Sequence, residues 1–312
     1  MTPHAVSLFT QPHAMKCLVV ITGPTGVGKT KVAIDVARML GCGIINADSR
    51  QIYREIPIGT AAPTAAEQAL AKHYFVGIKS LEEYYSAAQF EEDVMQLLHE
   101  EFWCCGDYAV MCGGSMLYID AVCRGIDDIP TISDDVRTTV AAKYHSEGLD
   151  SMLAELQTLD PEYYEKVDRK NAKRVVHAVE ICRQAGVSYT SLRTGMAKQR
   201  PFKIVKIGLN MERPQLFDRI NRRVDQMVAD GLEAEARNVF GKRQLNSLNT
   251  VGFKEMFAYF DGQWDFATAC ARIQKNTRVY AKKQLTWYAK DPEIIWSTPA
   301  EAIATIEHAI GK

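Results

Sequence analysis

Apolar residues along this chain fall into short unbroken runs separated by longer stretches of helical period. The run "CLVVIT" at 17–22 has the length and texture of a strand buried on both faces. "KTKVAIDVARML" at 29–40 predicts a helix that stops at Gly41. "GIINAD" predicts a second buried strand, ending at Asp48. Ser80 with Glu83 three residues on reads as a capping box that opens a helix running to about Trp103. "YAVMCGG" then predicts a third strand, closed by Gly113 and Gly114. Strands alternating with helices imply right-handed crossovers and a mostly parallel sheet. From about Ser133 to Thr194 the period is helical with little strand character. "RPFKIVKIGLNM" restores a strand, helices follow from about Gln215 to Lys290, and "EIIW" predicts a last strand. The predicted fold class is therefore α/β: a parallel sheet core with helices on both faces, interrupted by an all-helical insertion. The corresponding boundaries are a loose tail at 1–15, a core at 16–132 and 200–312, and an insertion at 133–199.

Composition narrows the function classes. A chain of 312 residues, 47% hydrophobic and 24% charged, has ordinary globular make-up. The formal net charge of −1 means that any nucleic-acid contact must come from local basic clusters. The eight cysteines are scattered without C-x-x-C, which argues against a disulfide framework or a zinc site and fits a reducing cytosol. The first 15 residues lack a basic n-region and a long apolar core, so no secretory signal is expected, and no run of 18 apolar residues suggests a membrane span. No assembly element stands out, so a monomer without an obligate protein partner is expected.

The stretch "GPTGVGKT", Gly23-Pro24-Thr25-Gly26-Val27-Gly28-Lys29-Thr30, matches G-x-x-x-x-G-K-[ST] in full between a predicted strand and a predicted helix. Its glycines let the backbone fold around an anion and present N–H groups, and the following helix adds its positive end. Lys29 neutralises phosphate oxygens and Thr30 offers a hydroxyl to Mg²⁺. The core is thus P-loop NTPase-like. Yet "YAVMCGGS" carries no acid of the kind that helps P-loop NTPases hold Mg²⁺, and the guanine-reading N-K-x-D is absent. The loop is open to a diphosphate that is not the end of a nucleotide. Asp48 follows the second strand, where ligands of open α/β sheets sit. It reads equally as a general base or as the anchor of an Asx turn. Ser49, Arg50, Gln51 and Tyr53 bring hydrogen-bonding and stacking groups to the same rim.

In order along the chain stand "GPTGVGKT", "INADSRQIYREIPIGTAAPT", "YYSAAQFEEDV", "MCGGSMLYIDAV", "DRINRRVDQMVADGLEAE", "NTVGFKEMFAYFDG" and "KKQLTWY". Together they resemble the tRNA dimethylallyltransferases, or isopentenyl-tRNA transferases, over roughly residues 17–290. The resemblance implies transfer of a dimethylallyl group from dimethylallyl diphosphate to N6 of the adenosine 3′-adjacent to the anticodon, in tRNAs reading codons that begin with U. The phosphate loop would hold the prenyl diphosphate. An adenine amine is a poor nucleophile, so a base must take its proton as the C–N bond forms; Asp48 stands at the family's catalytic aspartate position. Charge on the leaving diphosphate calls for preorganised cations, and Lys29, Mg²⁺ held partly by Thr30, and Arg223 in "INRRVDQM" would supply them. Spacing alone favours reading Arg223 as a solvated helix arginine. Ser115 keeps the hydroxyl of the family's usual threonine near the reacting centre.

On the RNA side the resemblance implies a flipped target base, with Asp48, Ser49, Arg50, Gln51 and Ser115 lining its entry and Arg137 at the base of the insertion. "KVDRKNAKR" at 166–174 reads as a solvated face, or as phosphate contacts through Lys173 and Arg174. "KKQLTWY" offers Lys282, Lys283 and Gln284 to the RNA, with Trp287 either stacking or core. Ala62, Lys283 and Ala289 stand where the family commonly has basic residues, Lys283 and Ala289 in place of arginines, and His177 stands for arginine. No Cys/His set marks a C-terminal zinc finger. Two other readings share the loop: a small-molecule or nucleoside-monophosphate kinase, and a non-catalytic RNA-binding protein using the loop as a nucleotide switch.

Overall fold

Residues 15–312 are described by a computed structural model, in which six strands form one parallel sheet. The strands are β1 (Cys17–Thr22), β2 (Ile44–Asn46), β3 (His73–Tyr74), β4 (Tyr108–Cys112), β5 (Lys203–Leu209) and β6 (Ile294–Ser297), in the order β3-β2-β4-β1-β5-β6. The expected tail, apart from Met15, lies outside the described residues. β1 is central and buried throughout: Val19 and Ile21 enter one apolar core, Leu18 and Val20 the other. Burial on both faces is why its sequence runs apolar without alternation. The chain leaves β1 for β2 and β4 on one side and returns through β5 on the other, so the strand order switches at β1, beside which a ligand crevice opens.

The helices are α1 (Lys29–Leu40), α2 (Ala65–Leu70), α3 (Ala87–Leu97), α4 (Met116–Arg124), α5 (Asp134–Leu159), α6 (Pro161–Lys166), α7 (Ala172–Ala185), α8 (Tyr189–Leu192), α9 (Arg213–Ala229), α10 (Leu232–Val239), α11 (Phe253–Phe260), α12 (Phe266–Tyr288) and α13 (Ala302–Ile310). α1 ends at Gly41 in the left-handed region, as its sequence predicts. Two boundaries differ from expectation. β2 stops at Asn46 rather than Asp48, because the Asp48 side chain accepts from the Arg50 amide and turns the chain. The helix predicted from Ser80 starts at Ala87. The Ser80 amide does donate to the Glu83 carboxylate at 2.6 Å, but the capping box that opens α3 is Ser86 with Gln89.

The described residues divide into two compact units, one of residues 15–124 and 199–312 and the other Gly125–Lys198. The second holds α5 to α8, with α5 broken at Gly148, around a core of Val140, Met152, Leu156, Val175, Ala178 and Val179. There the Glu155 carboxylate takes Arg183 through two nitrogens, at 2.5 and 2.8 Å, and Lys143 at 2.8 Å. Buried Asp160 caps α6 through the Tyr163 amide and holds the Thr190 amide of α8 at 2.6 Å.

Candidate active site

Gly23 sits at the end of β1 with φ 136°, and a Cβ there would lie 2.4 Å from the Leu209 carbonyl oxygen, so the loop can leave the sheet only through glycine. The chain then curls through Val27, buried in the core, to Lys29 at the start of α1. Lys29 Nζ donates to the carbonyl oxygens of Gly23 (3.0 Å) and Pro24 (2.9 Å), closing the loop on itself. Burial lowers the Lys29 pKa to about 8. Its ammonium is therefore short of counter-charge in a cleft that a phosphate can enter.

Three side chains from the C-terminal helices support this cradle. Arg219 Nε donates to the Gly26 carbonyl (3.0 Å), and Arg223 Nη1 donates to Thr25 Oγ1 (3.2 Å). Burial lowers the Arg223 pKa, and the Asp48 carboxylate opposes that. Gln284, only 1% exposed, accepts from the Thr25 amide at 2.8 Å through Oε1 and donates to the Gly114 carbonyl at 2.9 Å through Nε2. Expected on the RNA face, Gln284 instead points inward, because the two backbone groups it satisfies have no other partner at that depth.

The opposite wall of the crevice is the segment after β2. A Cβ at Gly113 would lie 2.1 Å from the Ala47 carbonyl oxygen, so the glycine pair lets the ends of β4 and β2 close together. Asp48 is half-buried. Its Oδ1 accepts from the Arg50 amide at 2.9 Å, the Asx turn read from the sequence, while Oδ2 has no hydrogen-bond partner among the described residues. Both readings of Asp48 can hold at once, one oxygen for the turn and one for the cleft. Ser115 Oγ accepts from the Ser49 amide (2.8 Å) and donates to Ser49 Oγ (3.1 Å). Arg50 Nη1 donates to the Ser247 carbonyl (3.2 Å). Gln51 Nε2 donates to the carbonyls of Thr60 and Ala61, both at 3.0 Å. The same loop is pinned by buried Glu235, which accepts from the amides of Ile58 (2.8 Å) and Gly59 (2.7 Å).

One cavity of about 1240 Å³ joins these walls and is lined by Gly28, Lys29, Thr30, Asp48, Gln51, Arg223 and Tyr280, among others. Burial, reinforced by Asp48, pushes the Tyr280 phenol up to about 12, so it stays neutral. The volume exceeds that of a drug-sized pocket and leaves room for a diphosphate together with a planar base. Among the described residues no cluster of three His, Cys, Asp or Glu could hold a metal.

The fold thus gathers Gly23–Thr30, Asp48–Gln51, Ser115, Arg223 and Gln284 in one unit. Arg137, Lys173 and Arg174 belong to the other. Arg137 is half-buried, with Nε donating to the Ile132 carbonyl, while Lys173 and Arg174 are exposed on the first turn of α7. Lys282 and Lys283 are exposed on α12, and Trp287 is 41% exposed with Nε1 donating to Asp120. Sequence reasoning missed Arg219, Glu235 and Tyr280. The four-residue spacing of Arg219 and Arg223 was the available sign, since it puts both on one face of α9.

The IPP transferase family model matches residues 51–291. The chain is 54% identical over 294 residues to tRNA dimethylallyltransferase 2 of Parabacteroides distasonis, covering 94% of this chain and 98% of the relative. A crystal structure of the full-length tRNA isopentenylpyrophosphate transferase from Bacillus halodurans matches with TM-score 0.69 and 34% identity, over 95% of this chain and 96% of that one. A eukaryotic dimethylallyltransferase acting on tRNA shares the fold at TM-score 0.77 and 24% identity, over 91% of this chain and 74% of that one. With the family model matching well over half of the chain and the Parabacteroides relative more than half identical along nearly all of it, the chain belongs to the IPP transferase family, alongside the tRNA dimethylallyltransferases.

Proposed function

We propose that this protein transfers the dimethylallyl group of dimethylallyl diphosphate to N6 of the adenosine 3′ of the anticodon in tRNAs reading codons that begin with U. The observation that carries this reading is the pairing, on one cavity, of a cation-rich phosphate loop with the carboxylate of Asp48. In the reaction, the allylic C1–O bond to diphosphate breaks and a C1–N6 bond forms. Lys29, Arg223 and the loop amides hold the diphosphate and balance the charge it gains on leaving. Asp48 Oδ2 takes the N6 proton as the amine attacks. Ser115 keeps Ser49, and with it the turn that aims Asp48, against the end of β4. Gln284 and Arg219 maintain the shape of the loop.

Mg²⁺ fits this donor set: Thr30 lines the cavity, and its hydroxyl together with diphosphate oxygens would offer the hard-oxygen ligands the ion takes. Bound there, the ion would neutralise charge on the leaving group. The acceptor is the anticodon stem-loop, with the helical insertion, through Arg137, Lys173 and Arg174, and α12, through Lys282 and Lys283, giving phosphate contacts. The enzyme would act as a monomer in the cytoplasm; among the described residues no helix is long and apolar enough to cross a membrane. Mass analysis of nucleosides from unmodified tRNA, incubated with dimethylallyl diphosphate with and without the protein, tests the reading. N6-dimethylallyladenosine appearing only with the protein is the expected result; ATP-dependent phosphorylation of a small acceptor instead would replace the reading with a kinase.

A further inference from the structure

We propose that Cys104 and Cys105, in the turn between α3 and β4, form a dithiol site for trivalent arsenic, with one arsenic atom bridging the two sulfurs. The site stands apart from the phosphate loop and does not depend on the prenyl-transfer reading, since neither cysteine lines the cavity. The turn enters β4 at its amino end, whereas the cavity opens at the carboxyl ends of the strands. The two Sγ atoms lie 3.0 Å apart, and both residues are exposed.

The local fold holds this pair in place. α3 ends in a π-helical turn, Leu98–Phe102, which widens the helix before the chain reverses. Phe102 is buried in one apolar core, and the Trp103 ring packs on Phe202 at 5.6 Å. The amides of Cys105 (3.3 Å) and Gly106 (2.9 Å) both donate to the Phe102 carbonyl. Beyond them Lys16 Nζ donates to the Gly106 carbonyl (2.8 Å) and pairs with Asp107 (3.0 Å). With its backbone tied on both sides, the turn leaves the two thiols to solvent. Cys104 Sγ donates to the carbonyl oxygens of Glu100 (3.1 Å) and Glu101 (3.4 Å), which keeps it beside Cys105. The other cysteines are less accessible: Cys17, Cys112, Cys123 and Cys182 are buried, and Cys42 and Cys270 are half-buried.

Sulfur spacing and ligand number together select the occupant. A disulfide joins sulfurs about 2.03–2.05 Å apart, between Cα atoms usually roughly 4.4–6.8 Å apart. Adjacent residues hold their Cα atoms at about 3.8 Å, so a direct S–S bond would strain the turn. Zinc takes four ligands in a tetrahedral array, and among the described residues no group of three His, Cys, Asp or Glu could hold a metal. A soft ion with only two ligands sets its sulfurs on opposite sides, out of reach of adjacent residues. Trivalent arsenic is also thiophilic, but it makes three bonds in a pyramid with angles near a right angle. Two neighbouring sulfurs and one outside group complete it. Bridging through arsenic also enlarges the ring that a disulfide would close. With an arsonous acid, R–As(OH)₂, two As–O bonds break and two As–S bonds form. The two thiol protons leave with the hydroxyls as two waters. Arsenic stays trivalent, so the step needs no oxidant or reductant.

The test adds phenylarsine oxide, which hydrates to phenylarsonous acid, to the reduced protein. The expected result is one arsenical per chain by mass, loss of two accessible thiols on titration, resistance to glutathione and release by a small dithiol. Peptide mapping of the wild-type adduct should place it on the segment that holds both cysteines, a readout that needs no variant. Cys104→Ser and Cys105→Ser should each weaken binding by about 10²-fold or more, because the second As–S bond closes within one molecule and gains from that effective concentration. Cys270→Ser should bind as wild type does. Thermal unfolding checks that each variant folds. No adduct, an adduct mapped to another segment, or full binding retained by Cys104→Ser and Cys105→Ser would overturn the site.

Discussion

The loop Gly23–Thr30 and the rim Asp48–Gln51 face each other across one cavity but are organised differently. In the loop, the cation and its closure are local, with Lys29 reaching Gly23 and Pro24, six and five residues back, and Arg219, Arg223 and Gln284 only brace that shape from outside. In the rim, Ser49 is held by Ser115, 66 residues on, and Arg50 by Ser247, 197 residues on. A phosphate is recognised by a compact array of N–H groups and a cation, which a short segment can supply. A general base must meet one proton of one bound amine, and that aim needs walls contributed from across the fold. The contrast predicts that rim substitutions act on turnover, while loop substitutions act on diphosphate binding.

The largest expected effect is at Asp48. Asp48→Ala should lower kcat by about 10²–10⁴ while the Kd for tRNA moves only a few-fold, as measured by single-turnover prenyl transfer and by filter binding. A variant with normal kcat would remove Asp48 from the chemistry and leave it as a turn residue alone.

Next comes Lys29 and its pH dependence. Burial places its pKa in the free protein at about 8. The ammonium is the form that binds diphosphate, so affinity should be constant below that pH and fall as pH rises through it, by about tenfold per unit at the limit. Calorimetric titration of pyrophosphate from pH 6.5 to 9.5 reads this directly; a flat profile would show that the loop amides and Arg223 hold the anion without the Lys29 charge.

Smaller effects belong to the glutamines. Gln284→Met keeps the volume but leaves the Thr25 amide and the Gly114 carbonyl unpaired at depth. It should cost about 1–3 kcal/mol in urea unfolding and raise KM for dimethylallyl diphosphate about tenfold, with KM for tRNA unchanged. A rise in the tRNA KM alone would return Gln284 to the RNA side. Gln51→Ala frees the loop carbonyls at Thr60 and Ala61, where Ala61 holds φ 46°. Turnover should drop only a few-fold by a positioning effect of this size; a drop beyond a hundredfold would mean that Gln51 touches the base itself.

Much of this was legible before any coordinates. The strands at 17–22, 108–112, 203–209 and 294–297 announce themselves as apolar runs, and the loop as a spaced motif. Hidden were β3, only two residues long, and α2, a six-residue helix that buries no residue and so leaves no periodic trace. The supports of the loop were hidden for another reason. Gln284 sits in "KKQLTWY", whose lysines and aromatics suggest RNA, and only the packing of α12 reveals that its amide turns inward to Thr25, 259 residues away. Polar residues that satisfy buried backbone look in sequence like polar residues that meet solvent or ligand.

In the proposed reaction the cradle delivers a prenyl diphosphate, not a nucleotide's terminal phosphate, to an amine deprotonated by Asp48. Its most direct test is the stoichiometry of pyrophosphate release with dimethylallyl diphosphate, ATP and unmodified tRNA all present. One pyrophosphate per dimethylallyladenosine formed, no release without tRNA and no ADP is the predicted result. ADP accumulating in place of prenylated adenosine would contradict it.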